Sequence, residues 1–201
     1  MTLHEVLELG DPRLRQVSQD VPESAFGAAE LAILIDDLIE TMRQRNGAGI
    51  AAPQIGVLQR VCVIEVNDNP RYPYKPSIPL TVLINPQITL LGDEKISVIE
   101  GCLSVPNLRG RLTRSARVMV QARGPDGGAL TLHAEGLTAA TLQHEIDHLD
   151  GRLFVDGVSD SESLCSWASY ARYHAQSFAA EAAQINALYP KPLAIEASPQ
   201  A

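Results

Sequence analysis

Between Gly136 and Asp150 the residues Leu137, Ala140, Thr141, His144 and His148 recur at intervals of three and four, the spacing of one face of an α-helix. That face is small and apolar over its first turns and then carries two imidazoles. A helix patterned this way argues against full solvation, so other layers must pack on it. The rest of the chain supplies candidates. From Ala29 to Arg45, Leu31, Leu34, Ile35, Leu38, Ile39 and Met42 predict an amphipathic helix that ends at Asn46-Gly47, residues suited to positive φ.

Strands are expected at Arg60–Val66, Thr81–Asn85, Gln87–Leu91, Glu94–Ile99, Arg117–Ala122 and Ala129–His133, the last two joined by a turn at Pro125-Asp126-Gly127-Gly128. The polar, proline-rich stretch from Asn67 to Pro79 reads as a loop or insertion. A last helix is expected from about Ser161 to Leu188. With 201 residues, 45% of them apolar, the chain can bury one good core. The expectation is therefore a single α+β domain with antiparallel sheets and helices toward both ends. Residues 1–188 are expected to form that domain, and the proline-bearing tail 189–201 is expected to be mobile.

Charge and cysteine usage bound the partners. A formal net charge of −8 gives no global attraction to nucleic acid or to an anionic membrane surface, so neither is expected as a partner. The basic cluster Arg109, Arg111, Arg114 and Arg117 reads as a solvated loop and strand edge. The first residues lack a basic leader with an apolar stretch, and no apolar run is long enough to span a bilayer. Three widely separated cysteines form no disulfide framework and fit a reducing compartment, so a cytoplasmic location is expected.

Two histidines four apart on a helix can offer nitrogens to one ion, while Glu145 between them flanks it as a possible base. A hydrolytic site needs a third protein ligand and an open position. A metalloprotease with a glycine turn would place a third histidine where this chain has Phe154, although Gly151 matches the glycine. A downstream glutamate, Glu162 or Glu181, has no local signature. Cys102, in Glu100-Gly101-Cys102-Leu103-Ser104 just past a strand end, is the better candidate. Cys62 and Cys165 read as buried small hydrophobes. The segment Gly47-Ala48-Gly49-Ile50-Ala51-Ala52-Pro53-Gln54 is unusually small and glycine-rich, which permits close approach of a ligand backbone.

Together Gly47–Gln54, Glu100–Ser104 and Gln143–Gly151 resemble, in order and separation, the three signature motifs of the peptide deformylase family. The resemblance covers roughly residues 3 to 170 and implies antiparallel sheets packed around a central metal-binding helix. It also implies hydrolysis of the formyl group from N-formylmethionyl nascent polypeptides, with the ribosome as a transient partner. Cys102, His144 and His148 would then hold one divalent ion, Fe2+ in the cell, with Zn2+, Ni2+ or Co2+ in preparations. Glu145 would carry the proton, Gln54 and the Leu103 backbone N–H would receive the oxyanion, and Gly49 would pair with the substrate backbone. The methionine slot is expected between Leu137, Ala140 and Thr141 on the helix and Ala48 opposite. Glu100 and Arg109 are expected to orient the cysteine loop, and Asp147 to pair with Arg114. The alternatives are a peptidase or other amidohydrolase with the same metal core, or a structural metal site closed by Cys62 or Cys165. Roles for the 67–79 stretch and the last helix stay open.

Overall fold

A computed structural model describes residues 3–197. The apolar face predicted for the first helix is buried: α1 (Ala29–Gln44) sets Leu31, Ile35, Leu38 and Met42 against the sheet. Each such buried side chain contributes about 1.5–3 kcal/mol relative to leaving it exposed. Asn46, at φ 51°, ends the helix, with its N–H on the Arg43 carbonyl and the Gly47 N–H on that of Met42. These paired bonds satisfy carbonyls the last turn would leave open. The chain is thereby turned into β1 (Gly49–Ala51).

β1 and the apolar run β2 (Val61–Val66) pair antiparallel. β2 alternates, with Val61 and Val63 facing α1 and Cys62, Ile64 and Val66 facing the other side. This explains why it is apolar throughout. The strands β3 (Ile78–Leu90), β4 (Lys95–Cys102), β5 (Val105–Ser115), β6 (Arg117–Arg123), β7 (Ala129–Glu135) and β8 (Ala194–Ala197) follow. They form a six-stranded sheet of order β1-β2-β3-β6-β7-β8 and a separate hairpin β4-β5, antiparallel throughout.

Helix α2 (Gly136–Leu149) lies between these two layers. Ala139, Leu142, Ile146 and Leu149 enter the core of the large sheet, while Leu137 and Ala140 enter the core of the hairpin. It ends as α1 does. Gly151 at φ 71° donates to the His148 carbonyl and Arg152 to that of Asp147. A Cβ on Gly151 would stand 2.6 Å from the Arg15 carbonyl oxygen, so only glycine fits there. The chain closes through a short turn α3 (Trp167–Ser169), a π-helical turn at Tyr170–His174 and α4 (Ala175–Leu188).

Several expectations change. The two strands expected at 81–85 and 87–91 are one strand, β3, which runs through Pro86 with a register shift between Ile84 and Gln87 and Asn85 at φ 52°. β5 occupies most of the stretch read as a solvated loop and strand edge. Arg109 is only 1% exposed and Arg114 9%, so these two are interior groups. The last helix begins near Trp167 rather than Ser161, because Ser161–Ser163 is an isolated 3-10 turn. Within the stretch expected to be a tail, Ala194–Ala197 pairs with β7 and covers the edge of the sheet. No helix among the described residues is long and apolar enough to cross a membrane.

Candidate active site

Three short segments meet at one cavity. It is lined by Ala48, Gly49 and Gln54 from the β1 region, by Cys102 at the end of β4 and Leu103 just after it, and by Leu137, Ala140, Thr141, His144 and Glu145 of α2. His148 stands one helical turn on, its Nε2 3.2 Å from the Cys102 Sγ. One ligand atom from each of Cys102, His144 and His148 lies within 4.8 Å of the others. The sequence-predicted residues are thus brought together, with Cys62 and Cys165 elsewhere: Cys62 is buried in the sheet and Cys165 bridges to Arg109.

The surroundings fix how these groups are presented. His144 donates from Nδ1 to Glu100 Oε2 at 2.8 Å, which leaves Nε2 as the ligating nitrogen. Glu100 is itself gripped by Arg114 through two bonds of 2.8 and 2.9 Å, and Arg114 reaches on to Asp147 at 2.5 Å. The expected Asp147–Arg114 pair is present, and it belongs to a chain from hairpin to helix. Burial works against the Glu100 charge, but Arg114 and His144 outweigh it and hold the carboxyl well below its usual range. Burial likewise opposes a charge on His144, yet Cys102 and Glu100 raise its proton affinity well above normal. A field that draws a proton draws a metal cation. Burial, aided by His144, keeps His148 neutral, the form that ligates.

Gln54 is locked in one orientation: its Oε1 accepts the Ala51 N–H at 2.8 Å, so Nε2 faces Cys102 Sγ at 3.5 Å and Ser104 Oγ at 3.1 Å. Glu145 is 5% exposed, and its Oε2 has no hydrogen-bond partner. Burial above all pushes its carboxyl up to about 7. Gly49 lies so close that a Cβ there would sit 2.7 Å from the Glu145 Cγ. A side chain at position 49 would displace the carboxylate.

Arg109 pairs across the hairpin with Gly101 of the cysteine segment, and it is an interior group rather than a surface ion pair. Its guanidinium stacks 4.0 Å from the Trp167 ring centroid and 4.2 Å from that of Tyr170, and donates to Tyr74 Oη at 3.2 Å and the Arg71 carbonyl at 3.1 Å. It fastens the 67–79 loop to the C-terminal segment. That brings Tyr72, Tyr74 and Lys75 of the loop, and Phe178 of α4, to the cavity. None of the four stands out in the sequence, since each acts only through packing between distant segments.

A soft thiolate and two imidazoles suit a divalent transition metal and leave a coordination position free, and the carboxylate beside them is not one of the three ligands. Such a site defines a metal-dependent hydrolase. The polypeptide deformylase family model matches residues 3–163. Peptide deformylase 1 of Prochlorococcus marinus is 47% identical over 166 residues, 82% of this chain and 85% of that one. Among solved structures, the class I type b peptide deformylase of Acinetobacter baumannii bound to Met-Ala-Ser superposes with a TM-score of 0.76 at 36% identity. It covers 78% of this chain and 99% of that one. The actinonin complex of the Ehrlichia chaffeensis enzyme gives 0.72 at 34%, covering 81% and 92%. The chain belongs to the polypeptide deformylase family, metal-dependent hydrolases that remove the formyl group from N-terminal formylmethionine.

Proposed function

We propose that residues 1–188 form the catalytic unit and that the cavity binds the formylated N-terminus of a nascent chain, with each residue in the role its surroundings favour. The observation that carries this reading is the buried, unpartnered Oε2 of Glu145 beside the Cys102, His144 and His148 cluster. A carboxylate left unpaired in the interior is costly, and a function for it is proton transfer. Cys102, His144 and His148 would hold the cation, Fe2+ in the cell and Zn2+, Ni2+ or Co2+ after purification. When bound, the cation polarises the formyl carbonyl and acidifies the attacking water.

Glu145 accepts the proton of that water at Oε2 and returns it to the departing amine. The Gln54 Nε2 and the Leu103 N–H donate to the oxygen on which charge develops, where preset donors need no reorganisation. The Oε1 bond to Ala51 supports this by holding the amide ready. Gly49 pairs with the substrate backbone, its missing Cβ leaving room. Ala48, Leu137, Ala140 and Thr141 line the slot for the methionine side chain. The enzyme acts in the cytoplasm on chains emerging from the ribosome, which it contacts transiently, and it engages neither a membrane nor specific nucleic acid.

Offered formyl-Met-Ala-Ser and acetyl-Met-Ala-Ser, the protein is expected to release formate and free amine from the first only. Cleavage confined to the acetyl peptide, or within the chain, would point to a different hydrolase. Protein purified without oxygen is expected to carry iron and to lose activity in air, with recovery on anaerobic addition of Fe2+. An all-zinc preparation of equal activity would rule out iron as the native metal.

A further inference from the structure

One wall of the cavity is not used by the reaction above. Lys75, from the loop between β2 and β3, donates from Nζ to Thr141 Oγ1 at 2.7 Å. Thr141 spends its own proton on the Leu137 carbonyl at 2.9 Å, so its hydroxyl can only accept from the lysine. The ammonium also lies 4.9 Å from the Tyr72 ring centroid. Of its three N–H groups one is used, and the other two have no hydrogen-bond partner among the described residues.

Thr141 and Leu137 are also walls of the proposed methionine slot, together with Ala48 and Ala140. Lys75 therefore brings free donors to a slot that is otherwise almost wholly apolar. Lys75 lines the same cavity as these slot residues, so its free donors face the space a substrate side chain would enter. The cation is held in surroundings that disfavour it: burial lowers Lys75 to about 8, against the opposing pull of Glu100 and Glu145. A ligand that accepts its hydrogen bonds would restore what burial removes.

We propose that Lys75 extends the substrate range to peptides that begin with N-formylmethionine sulfoxide, by donating to the sulfoxide oxygen. This rests on the slot assignment given above. Oxidation turns the thioether into a strong acceptor at the same place in an unbranched side chain. In a slot without donors, the buried S=O would go unpaired and the substrate would be rejected. The reaction itself is unchanged: water adds, the formamide C–N bond breaks, formate and the free amine leave, and sulfur keeps its oxidation state.

The test is kcat/KM of the metal-loaded enzyme on formyl-Met-Ala-Ser and on each sulfoxide epimer of the same peptide, for the wild type, Lys75→Met and Lys75→Arg. Wild type is expected to cleave at least one epimer. The sulfoxide-to-thioether ratio is expected to fall at least about tenfold in Lys75→Met, the cost of losing a hydrogen bond to a charged donor. In Lys75→Arg, which keeps a charged donor, the ratio is expected to stay within about threefold of wild type. A ratio that does not move in Lys75→Met, or a wild type that cleaves the formyl-Met peptide but neither epimer, overturns the proposal. A wild type inert on all the peptides instead overturns the reading of the site on which it rests.

Discussion

Glu145→Ala is expected to lower kcat for formyl-Met-Ala-Ser on the order of 10³-fold, the range for loss of a general acid–base, with metal content retained. The carboxylate is buried and its Oε2 bonds to nothing, so the alanine leaves no partner stranded. Removing an unpaired buried charge relieves a cost rather than adding one, and the variant is expected to melt no lower than wild type. Loss of activity without a stability penalty is what separates a proton carrier from a structural group. A kcat within tenfold of wild type, with the same metal content, would move the proton chemistry to another residue.

Arg114→Met is expected to act on stability instead, by about 3–5 kcal/mol in urea unfolding, the usual cost of stranding buried partners of a broken ion pair. The arginine is the shared partner of Glu100 on β4 and Asp147 on α2, and their side chains are 10% and 16% exposed. Because Glu100 also orients His144, metal affinity is expected to drop about 10- to 100-fold, read by competition with a chelator. The pH dependence follows from the sign of the Glu100 shift. A carboxyl held below its ordinary 4.5 in the folded state lends stability that is full above that value and fades as acid lowers the pH further. The gap between wild type and variant should therefore be widest near neutrality and narrow in acid. A loss under about 1 kcal/mol would show that water replaces the arginine at no great cost.

The site was legible because its chemistry sits in three local words of sequence, although the contacts among them, such as His144 with Glu100 and Cys102 with His148, join residues far apart in the chain. The helices α1 and α2 were legible for a similar reason: a buried face leaves a period of three and four. β5 was not. Its core-facing positions include Arg109 and Arg114, whose partners are aromatic rings and carboxylates far along the chain, so no run of apolar residues marked it. β3 was split by Pro86, yet Asn85 at φ 52° absorbs the irregularity and the strand continues. β8 spans only Ala194–Ala197, and pairing with the edge of β7 accounts for it. Lys75 and Phe178 escaped notice because they reach the cavity only through the packing of a loop on a terminal helix.

That packing bears on inhibitor selectivity. The family match ends at residue 163, whereas Trp167, Tyr170 and Phe178 lie beyond it. Arg109 joins Trp167 and Tyr170 to the loop that carries Tyr74, and the Tyr74 and Phe178 rings meet edge to face at 5.0 Å beside the cavity. A compound that only chelates the metal and fills the small helix face would touch only groups inside the matched region. One extended toward Phe178 would press on a side chain outside the matched region, and discrimination between this enzyme and its relatives would be gained at that end of the molecule.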